Sequence, residues 1–288
     1  MKTPGFWFRP PSLAARLLKP LGSAYYILGR LRTGKPARAA APLIVVGNVV
    51  AGGAGKTPVV LALTSLLQQR GLKVHLIAKG YGGRLKGPQQ VMPDHTALDV
   101  GDEPMLLAMA APTFIGQDRG AAYELAAQGA DVVISDDGMQ SPRLKGALTL
   151  MVLDGVLGFG NGLLIPAGPL REPVNEALKR VDAIVQIGGA ERPIGNKPLL
   201  LADFMTQDTD WLRGTRIIAF AGIGQPEKFF SSLTTSGAKL VAAYPYGDHQ
   251  PYSAAEISRL LEQAKAQNAV LVTTTKDHVR IPKGLREQ

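Results

Sequence analysis

The sequence predicts an α/β fold with a mostly parallel sheet that helices cover on both faces. Apolar, strand-like segments alternate with helical patterns along most of the chain, and glycine and proline punctuate the segments between them. Of the 288 residues, 45% are hydrophobic, enough for one large α/β domain or two smaller lobes. Cysteine is absent, which excludes disulfides, thiol nucleophiles and cysteine-ligated metals.

The net charge of the chain indicates which kinds of partner it can bind. A net charge of +9 favours anionic partners such as nucleotides, phosphorylated ligands or an acidic membrane surface. Aromatic residues make up only 6% of the chain, and they do not interleave with runs of arginine or lysine. Nucleic acid is therefore the weaker interpretation, and no obligate protein partner is inferred.

Residues 1–40 differ in composition from the rest of the chain. They combine aromatic residues and leucines with many basic side chains. Charges interrupt the apolar residues too often for a spanning helix, and the pattern of a signal peptide is absent. Such a segment is typical of an amphipathic helix in a membrane interface. From the residues alone, a helix packed on the protein's own core is an equally good interpretation.

The central motif is IVVGNVVAGGAGKTP, residues 44–58. A buried strand, a glycine-rich turn, Lys-Thr and an apolar run at helical spacing are the parts of a phosphate-binding loop (P-loop). In such a loop, backbone N–H groups, the helix N-terminus and the lysine bind phosphate oxygens. The residues expected to bind a nucleotide such as ATP are Gly52, Gly53, Ala54, Gly55, Lys56 and Thr57. The Thr57 hydroxyl is also placed for Mg²⁺, and Val50 stands where the strict motif has glycine.

Further elements follow in alternation. Strands are predicted at residues 73–78, 131–137, 148–154, 182–187, 199–202, 215–221, 239–243 and 269–274. Helices are predicted from residue 58 onward and at 101–111, 227–236 and 253–267. Because the pattern weakens after residue 188, we expect an N-terminal segment (1–40), a P-loop core lobe (41–190), a linker or hinge (191–214) and a second, smaller α/β lobe (215–288).

Two acidic residues close one of the predicted strands. Asp136 and Asp137 lie where a P-loop fold places a carboxylate to hold Mg²⁺, directly or through water. Arg171 and Glu172, in the segment PLREP, could supply a charge clamp and a further metal contact. A solvated surface pair is the more common arrangement for such neighbours.

Transfer of a phosphoryl group to an alcohol also needs a base or orienting group for the attacking hydroxyl. Asp102 could be that base, or it could merely cap a helix. Among the four histidines, His249 and His278 each follow a strand, which is the usual edge for α/β sites. From spacing alone, His249 is favoured over His278 only because Asp248 adjoins it. His75 lies within a strand, and a structural role is predicted for it.

Taken together, these motifs resemble those of the tetraacyldisaccharide 4'-kinases, the lipid A 4'-kinases of Gram-negative bacteria. The resemblance runs through almost the whole chain and is carried, in order, by VGNVVAGGAGKTP, KGYGG, GDEPMLLA, DDGMQ, LIPAGPLREP, GIGQPEKFF, YGDHQPYS and VTTTKDHVR. The P-loop of this family also lacks the first glycine, so Val50 is not a departure.

The resemblance implies transfer of the γ-phosphate of ATP, with Mg²⁺, to the 4'-hydroxyl of a tetraacylated glucosamine disaccharide 1-phosphate in lipid A (lipopolysaccharide) biosynthesis. It implies a peripheral or monotopic protein on the cytoplasmic face of the inner membrane, docked through the N-terminal segment. The implied roles are phosphate and Mg²⁺ binding by Lys56 and Thr57, a Walker B pair of Asp136 and Asp137, a catalytic base Asp102 working with His249, and contacts near the metal and transferring phosphate from Arg171 and Glu172.

Three departures from the common family pattern stand out. Met139 and Ser141 replace residues of the usual DDGFQH, Thr275 replaces the glutamate of TEKD, and Lys79 replaces an arginine before GYG. Lysine keeps the charge of that arginine but loses its forked donor geometry. None of these changes touches the expected metal site or the Asp102–His249 pair.

Two other classes of function compete with the kinase. The first is a deviant P-loop ATPase or GTPase switch that drives assembly or metal insertion. Such a switch usually needs a bridging lysine near the start of the loop, and residues 42–55 contain none. The second is a membrane-bound interaction protein with a vestigial loop, against which the intact Lys56, Thr57 and aspartate pair argue.

Overall fold

The computed structural model of the chain describes residues 4–31, 34–204 and 209–286. Residues 1–3 and 32–33 of the predicted N-terminal segment and residues 205–208 of the predicted linker lie outside the described residues. Within the described ranges, the strands form one sheet of eight and one sheet of three.

The large sheet has the strand order β3-β4-β2-β5-β1-β6-β7-β8. Its strands are β1 (Leu43–Gly47), β2 (Val74–Ala78), β3 (Gln89–Gln90), β4 (Thr113–Ile115), β5 (Val132–Asp136), β6 (Leu148–Asp154), β7 (Ala183–Ile187) and β8 (Leu199–Ala202). All neighbours pair in parallel except β3 and β4. The predicted mostly parallel sheet is therefore confirmed.

Helices cover both faces of this sheet. The helices up to β8 are α1 (Leu13–Leu17), α2 (Lys19–Arg30), α3 (Lys56–Gln68), α4 (Ala97–Val100), α5 (Asp102–Ala108), α6 (Arg119–Ala126) and α7 (Val174–Leu178). Successive residues of β1 enter different cores: Val45 packs with Tyr123 of α6 in one cluster, and Val46 with Val60 of α3 in the other. A parallel sheet buried on both faces explains why its strands are continuously apolar.

The small sheet is also parallel, in the order β10-β9-β11. Its strands and helices are β9 (Arg216–Ala221), α8 (Pro226–Thr235), β10 (Lys239–Pro245), α9 (Ala254–Ala266), β11 (Val270–Thr273) and α10 (Thr275–His278). Ile217 packs beneath α8, and Phe220 packs on the opposite face with Ile257 of α9. The predicted second α/β lobe thus has a sheet and cores of its own.

Some elements were not predicted from the sequence. The strands β3 and β4 have two and three residues, too few to give a clear apolar pattern. The strand predicted at residues 199–202 is present, but it pairs in parallel with β7 and extends the large sheet, although the predicted linker contains it. The division into four segments at residues 40, 190 and 214 stays a prediction.

The helices α1 and α2 present apolar residues to solvent. Leu13 and Leu17 of α1 are 75% and 73% exposed. On α2, Ile27 and Leu28 are 59% and 64% exposed, whereas Gly22 faces Leu164 of the core lobe. Among the described residues, no helix combines the length and the apolar character needed to span a bilayer.

Candidate active site

The P-loop connects the end of β1 to the first turn of α3. Gly55 adopts a left-handed conformation with φ of 82°, and a Cβ there would lie 2.5 Å from Ile187 Cδ1. Glycine therefore fits this position for conformational and steric reasons. Lys56 Nζ lies 3.4 Å from Asn48 Oδ1, so the lysine folds back across the start of the loop.

Asp136 lies at the carboxyl end of β5, directly beside the P-loop strand. Thr57 Oγ1 donates a 2.8 Å hydrogen bond to its Oδ2, whereas Oδ1 is buried with no partner among the described residues. Burial raises the pKa of Asp136 to about 6, and the negative charge of Glu103 adds to this rise. A buried, unsatisfied carboxylate oxygen beside a hydroxyl is a hard donor set that fits Mg²⁺.

Asp137 joins the lysine of the P-loop to the segment PLREP. Its carboxylate accepts hydrogen bonds of 3.0 and 2.9 Å from Arg171 Nη1, and Lys56 Nζ lies 3.5 Å from its Oδ1. Although burial opposes the change, these two cations lower the pKa of Asp137. The Arg171 backbone N–H donates to Val49 O at 2.7 Å, which packs PLREP against the loop.

Glu172 is held by different partners from those of the aspartate pair. Arg180 Nη2 donates to both carboxylate oxygens at 2.7 and 2.6 Å, and Gln140 Nε2 donates to Oε1 at 2.9 Å. No three carboxylate or imidazole side chains in the described ranges form a group that could hold a metal ion. Mg²⁺ often takes only one or two protein carboxylates and completes its shell with water and phosphate, so this agrees with Asp136 as the main donor. A metal contact by Glu172 stays a prediction.

Asp102 and His249 meet across the two lobes. Asp102 begins α5 of the first lobe, and His249 follows β10 of the second. His249 Nδ1 lies 2.8 Å from Asp102 Oδ2, and Arg280 Nε donates to the same oxygen at 2.7 Å. Burial opposes ionisation, but the hydrogen bond from His249 and the charge of Arg280 outweigh it and lower the pKa of Asp102. The carboxylate is therefore ionised at neutral pH, as a proton acceptor must be.

Sequence reasoning missed two arginines at this site. Arg119, the first residue of α6, donates through Nη1 to the carbonyl oxygens of Asp136 and Asp137 at 2.9 and 2.5 Å. It fixes the backbone that carries the aspartate pair. Arg119 follows β4 at the carboxyl edge of the sheet, but that strand has three residues and was not predicted, so no sequence signal indicated this position. Arg280, which contacts Asp102, is the last residue of the segment VTTTKDHVR, but no role was predicted for it.

The other residues discussed from the sequence have simpler environments. His75 Nδ1 lies 2.7 Å from Ala126 O inside the core, which agrees with the structural role predicted for it. Met139 is buried against Gly47, where a Cβ would lie 2.6 Å from its Cγ. Lys79 lines a cavity of about 380 Å³ together with Lys86 and Gln117. This cavity is separate from the contacts between Lys56 and the aspartate pair.

Comparison with known proteins gives matches along the whole chain. The profile of the tetraacyldisaccharide-1-P 4'-kinase (LpxK) family matches residues 14–288. A tetraacyldisaccharide 4'-kinase of Rhodospirillum centenum is 48% identical over all of this chain and 90% of its own length. Those of Rhodospirillum rubrum and Dinoroseobacter shibae are 44% and 46% identical over all of this chain and 91% of theirs.

The fold also resembles a solved structure. The crystal structure of LpxK from Aquifex aeolicus in complex with ATP superposes with a TM-score of 0.74 at 25% identity. The superposition covers 95% of this chain and 92% of that one. Both the sequence and the arrangement of the two lobes are therefore similar to one family.

Proposed function

The chain belongs to the tetraacyldisaccharide-1-P 4'-kinase family, and from this membership and the geometry of the site we propose how it acts. It is a kinase that transfers the γ-phosphate of ATP to the 4'-hydroxyl of tetraacyldisaccharide 1-phosphate, in lipid A biosynthesis. This membership favours the kinase over the competing interpretation, a P-loop ATPase or GTPase switch. The observation that carries the proposal is the Asp102–His249 pair, which joins the second lobe to the lobe that bears the P-loop.

The residues of the P-loop lobe bind the donor. The loop N–H groups and the start of α3 bind the phosphates of ATP, and Lys56 and Arg171 place positive charge beside them. The Thr57 hydroxyl and the free oxygen of Asp136 would hold Mg²⁺, which neutralises charge on the phosphates when bound. Arg119 keeps the backbone of the aspartate pair in place.

Asp102 serves the acceptor. Its ionised carboxylate takes the proton of the 4'-hydroxyl as the oxygen forms its bond to the γ-phosphorus, and ADP leaves with the electrons of the broken bond. His249 orients the carboxylate from the opposite lobe. Because the two residues come from different lobes, the base is complete only when the lobes are together.

We also propose that the protein acts at the cytoplasmic face of the inner membrane, as a peripheral or monotopic protein docked through α1 and α2. The exposed leucines and isoleucine of these helices give an apolar surface, and arginine and lysine in the same segment favour anionic lipids. The acceptor is an acylated disaccharide, so such docking would bring the site to its substrate.

Deletion of residues 1–38 should lower binding to anionic vesicles several-fold, because it removes both the apolar surface and much of the basic charge. Co-sedimentation with vesicles of phosphatidylethanolamine and phosphatidylglycerol measures this. A finer variant, Leu13→Ser with Leu17→Ser, should lose part of the binding. Its matched control is Leu200→Ser with Leu201→Ser, which removes exposed leucines on β8 and should change nothing. Full vesicle binding by the deletion variant would refute docking through this segment.

The activity itself is tested by incubating the full-length chain with ATP, Mg²⁺ and tetraacyldisaccharide 1-phosphate. We expect mass spectrometry to find one added phosphate group, and fragmentation to place it on the 4'-oxygen. A reaction without ATP is the blank. ATP hydrolysis with unmodified lipid, or phosphate on another hydroxyl, would contradict the proposed function.

A further inference from the structure

Arg280 contacts the carboxylate of Asp102 from the second lobe. It lies just after α10, and its Nε donates to Asp102 Oδ2 at 2.7 Å, the oxygen that His249 Nδ1 approaches at 2.8 Å. The arginine side chain is only 2% exposed. It is therefore too deeply buried to bind substrate, and any effect on the reaction must pass through Asp102.

A buried network fixes the guanidinium of Arg280. Its Nη1 donates to Gly222 O at 2.8 Å and to Asp277 Oδ1 at 3.0 Å. Asp277 is fully buried and also accepts hydrogen bonds from Tyr252 Oη at 2.7 Å and Thr274 Oγ1 at 2.5 Å. Its Nη2 is buried with no partner among the described residues, so the guanidinium is held through Nε and Nη1. A guanidinium held on two nitrogens by a buried network has little freedom, so it offers Asp102 a rigid partner.

Both donors to Asp102 converge on one oxygen. In the described parts of the chain, Oδ2 contacts Arg280 and His249, whereas Oδ1 makes no hydrogen bond. Two donors on a single oxygen fix the orientation of the carboxylate plane and leave the second oxygen available. A base needs this arrangement, because the oxygen that takes a proton has to be unoccupied.

We propose that Arg280 is a positioning residue for phosphoryl transfer, which holds Asp102 through Oδ2 so that Oδ1 receives the proton of the acceptor hydroxyl. This inference rests on the proposed kinase function. The competing explanation is an ion pair that only joins the lobes. The two differ in what they predict for turnover, because loss of a purely structural pair would leave kcat per folded molecule unchanged.

The charged groups around the pair define the expected pH effect. Arg280 and His249 face Asp102 from the second lobe, and Glu103 adjoins it on α5. Lys276 and Asp248 lie 3.4 and 3.7 Å from the Nε2 of His249. Because the cation favours the ionised carboxylate, its removal raises the pKa of Asp102. The acid limb of the kcat profile should then move to higher pH.

The test compares Arg280→Gln and Arg280→Lys with Arg286→Gln. Arg286 is a matched control, because this arginine of the same segment donates to the carbonyls of Ile281 and Val279 and not to Asp102. We expect Arg280→Gln to lower kcat about 10- to 100-fold, with the KM for ATP within about twofold of wild type. Arg280→Lys keeps the charge without the fork, so it should lower kcat with a smaller shift of the acid limb. Arg286→Gln should leave kcat and the acid limb of its pH profile unchanged.

A second readout does not depend on lipid turnover. Hydrogen–deuterium exchange of the segment 247–252, which carries His249, should rise in Arg280→Gln and stay at the wild-type rate in Arg286→Gln, because the link across the lobes is lost. If the wild-type protein is inactive, the proposed kinase function is overturned. The exchange rates can still be compared in that case, because they do not depend on turnover. Unchanged kcat in the folded Arg280 variants would overturn the positioning role. So would a fall in kcat with no shift of the acid limb in Arg280→Gln. If Arg280→Gln fails to fold, Arg280→Lys decides by the same kcat criterion.

Discussion

Replacing Asp102 with alanine should lower kcat about 10²- to 10⁴-fold while nucleotide affinity stays near that of wild type. A positioned general base contributes acceleration of this order. The P-loop and the aspartate pair, which we propose bind the donor, make their contacts without the Asp102 side chain. Single-turnover phosphorylation of the lipid acceptor and binding of a fluorescent ATP analogue measure the two quantities separately.

The matched control for this prediction is Asp99→Asn. Asp99 is a buried carboxylate three residues earlier that accepts from Thr96 and pairs with Arg84, away from His249. Its loss should reduce thermal stability and leave turnover per folded molecule intact. An Asp102→Ala enzyme with wild-type kcat would remove Asp102 from the role of base.

Replacing Asp136 with asparagine should nearly abolish turnover, by at least about 10²-fold, and should also stabilise the ligand-free protein. Turnover falls because the charged oxygen that would hold Mg²⁺ is lost. Stability rises because the wild-type chain buries a carboxylate with one unsatisfied oxygen. Asparagine keeps the size of the side chain and an oxygen to accept from Thr57. The same oxygen of Asp136 is therefore expected to be needed for turnover and to lower the stability of the ligand-free protein.

The pH dependence of this effect has a definite sign. Burial raises the pKa of Asp136 from 3.8 to about 6, so the folded state binds the proton more tightly than the unfolded state. The destabilisation is absent below pH 3.8, grows between pH 3.8 and about 6, and is complete above that. At neutral pH it amounts to about 3 kcal/mol.

Thermal unfolding in EDTA, at pH 5 and pH 7.5, measures this effect. The midpoint of Asp136→Asn should exceed that of wild type by more at pH 7.5 than at pH 5. Asp131→Asn is a suitable comparison, because that surface carboxylate caps the N–H of Lys73 and lies far from the phosphate loop. Equal unfolding midpoints for wild type and Asp136→Asn at both pH values would show that the buried charge does not lower the stability of the folded protein.

The residues proposed to bind ATP could be predicted from the sequence because their patterns are local. The P-loop residues are contiguous, and Asp136 and Asp137 end an apolar strand, so their meeting follows from the pairing of β1 with β5. Arg119 was not identified from the sequence because its position at the site follows from β4. This strand has three residues and gives almost no periodic pattern. Recognising Arg119 required the strand order of the sheet.

The acceptor side was only partly accessible. Asp102 and His249 were identified as candidates, and their pairing came from a family resemblance, since 147 residues separate them. Arg280 lies 178 residues from Asp102, and although it ends the segment VTTTKDHVR, nothing in that local pattern indicates a contact with Asp102. Such contacts depend on the placement of one lobe against the other, which local patterns do not encode.

The order of elements along the chain has a consequence for synthesis. Every strand of the large sheet lies before residue 203, whereas His249 and Arg280 follow β10 and β11 near the end. Lobes generally fold as units, starting from the N-terminal side during translation. A nascent chain therefore completes the large sheet and its P-loop, which we propose bind the nucleotide, before the ribosome has added the residues that contact Asp102. We expect ribosomal products truncated before β11 to bind nucleotide without phosphorylating lipid.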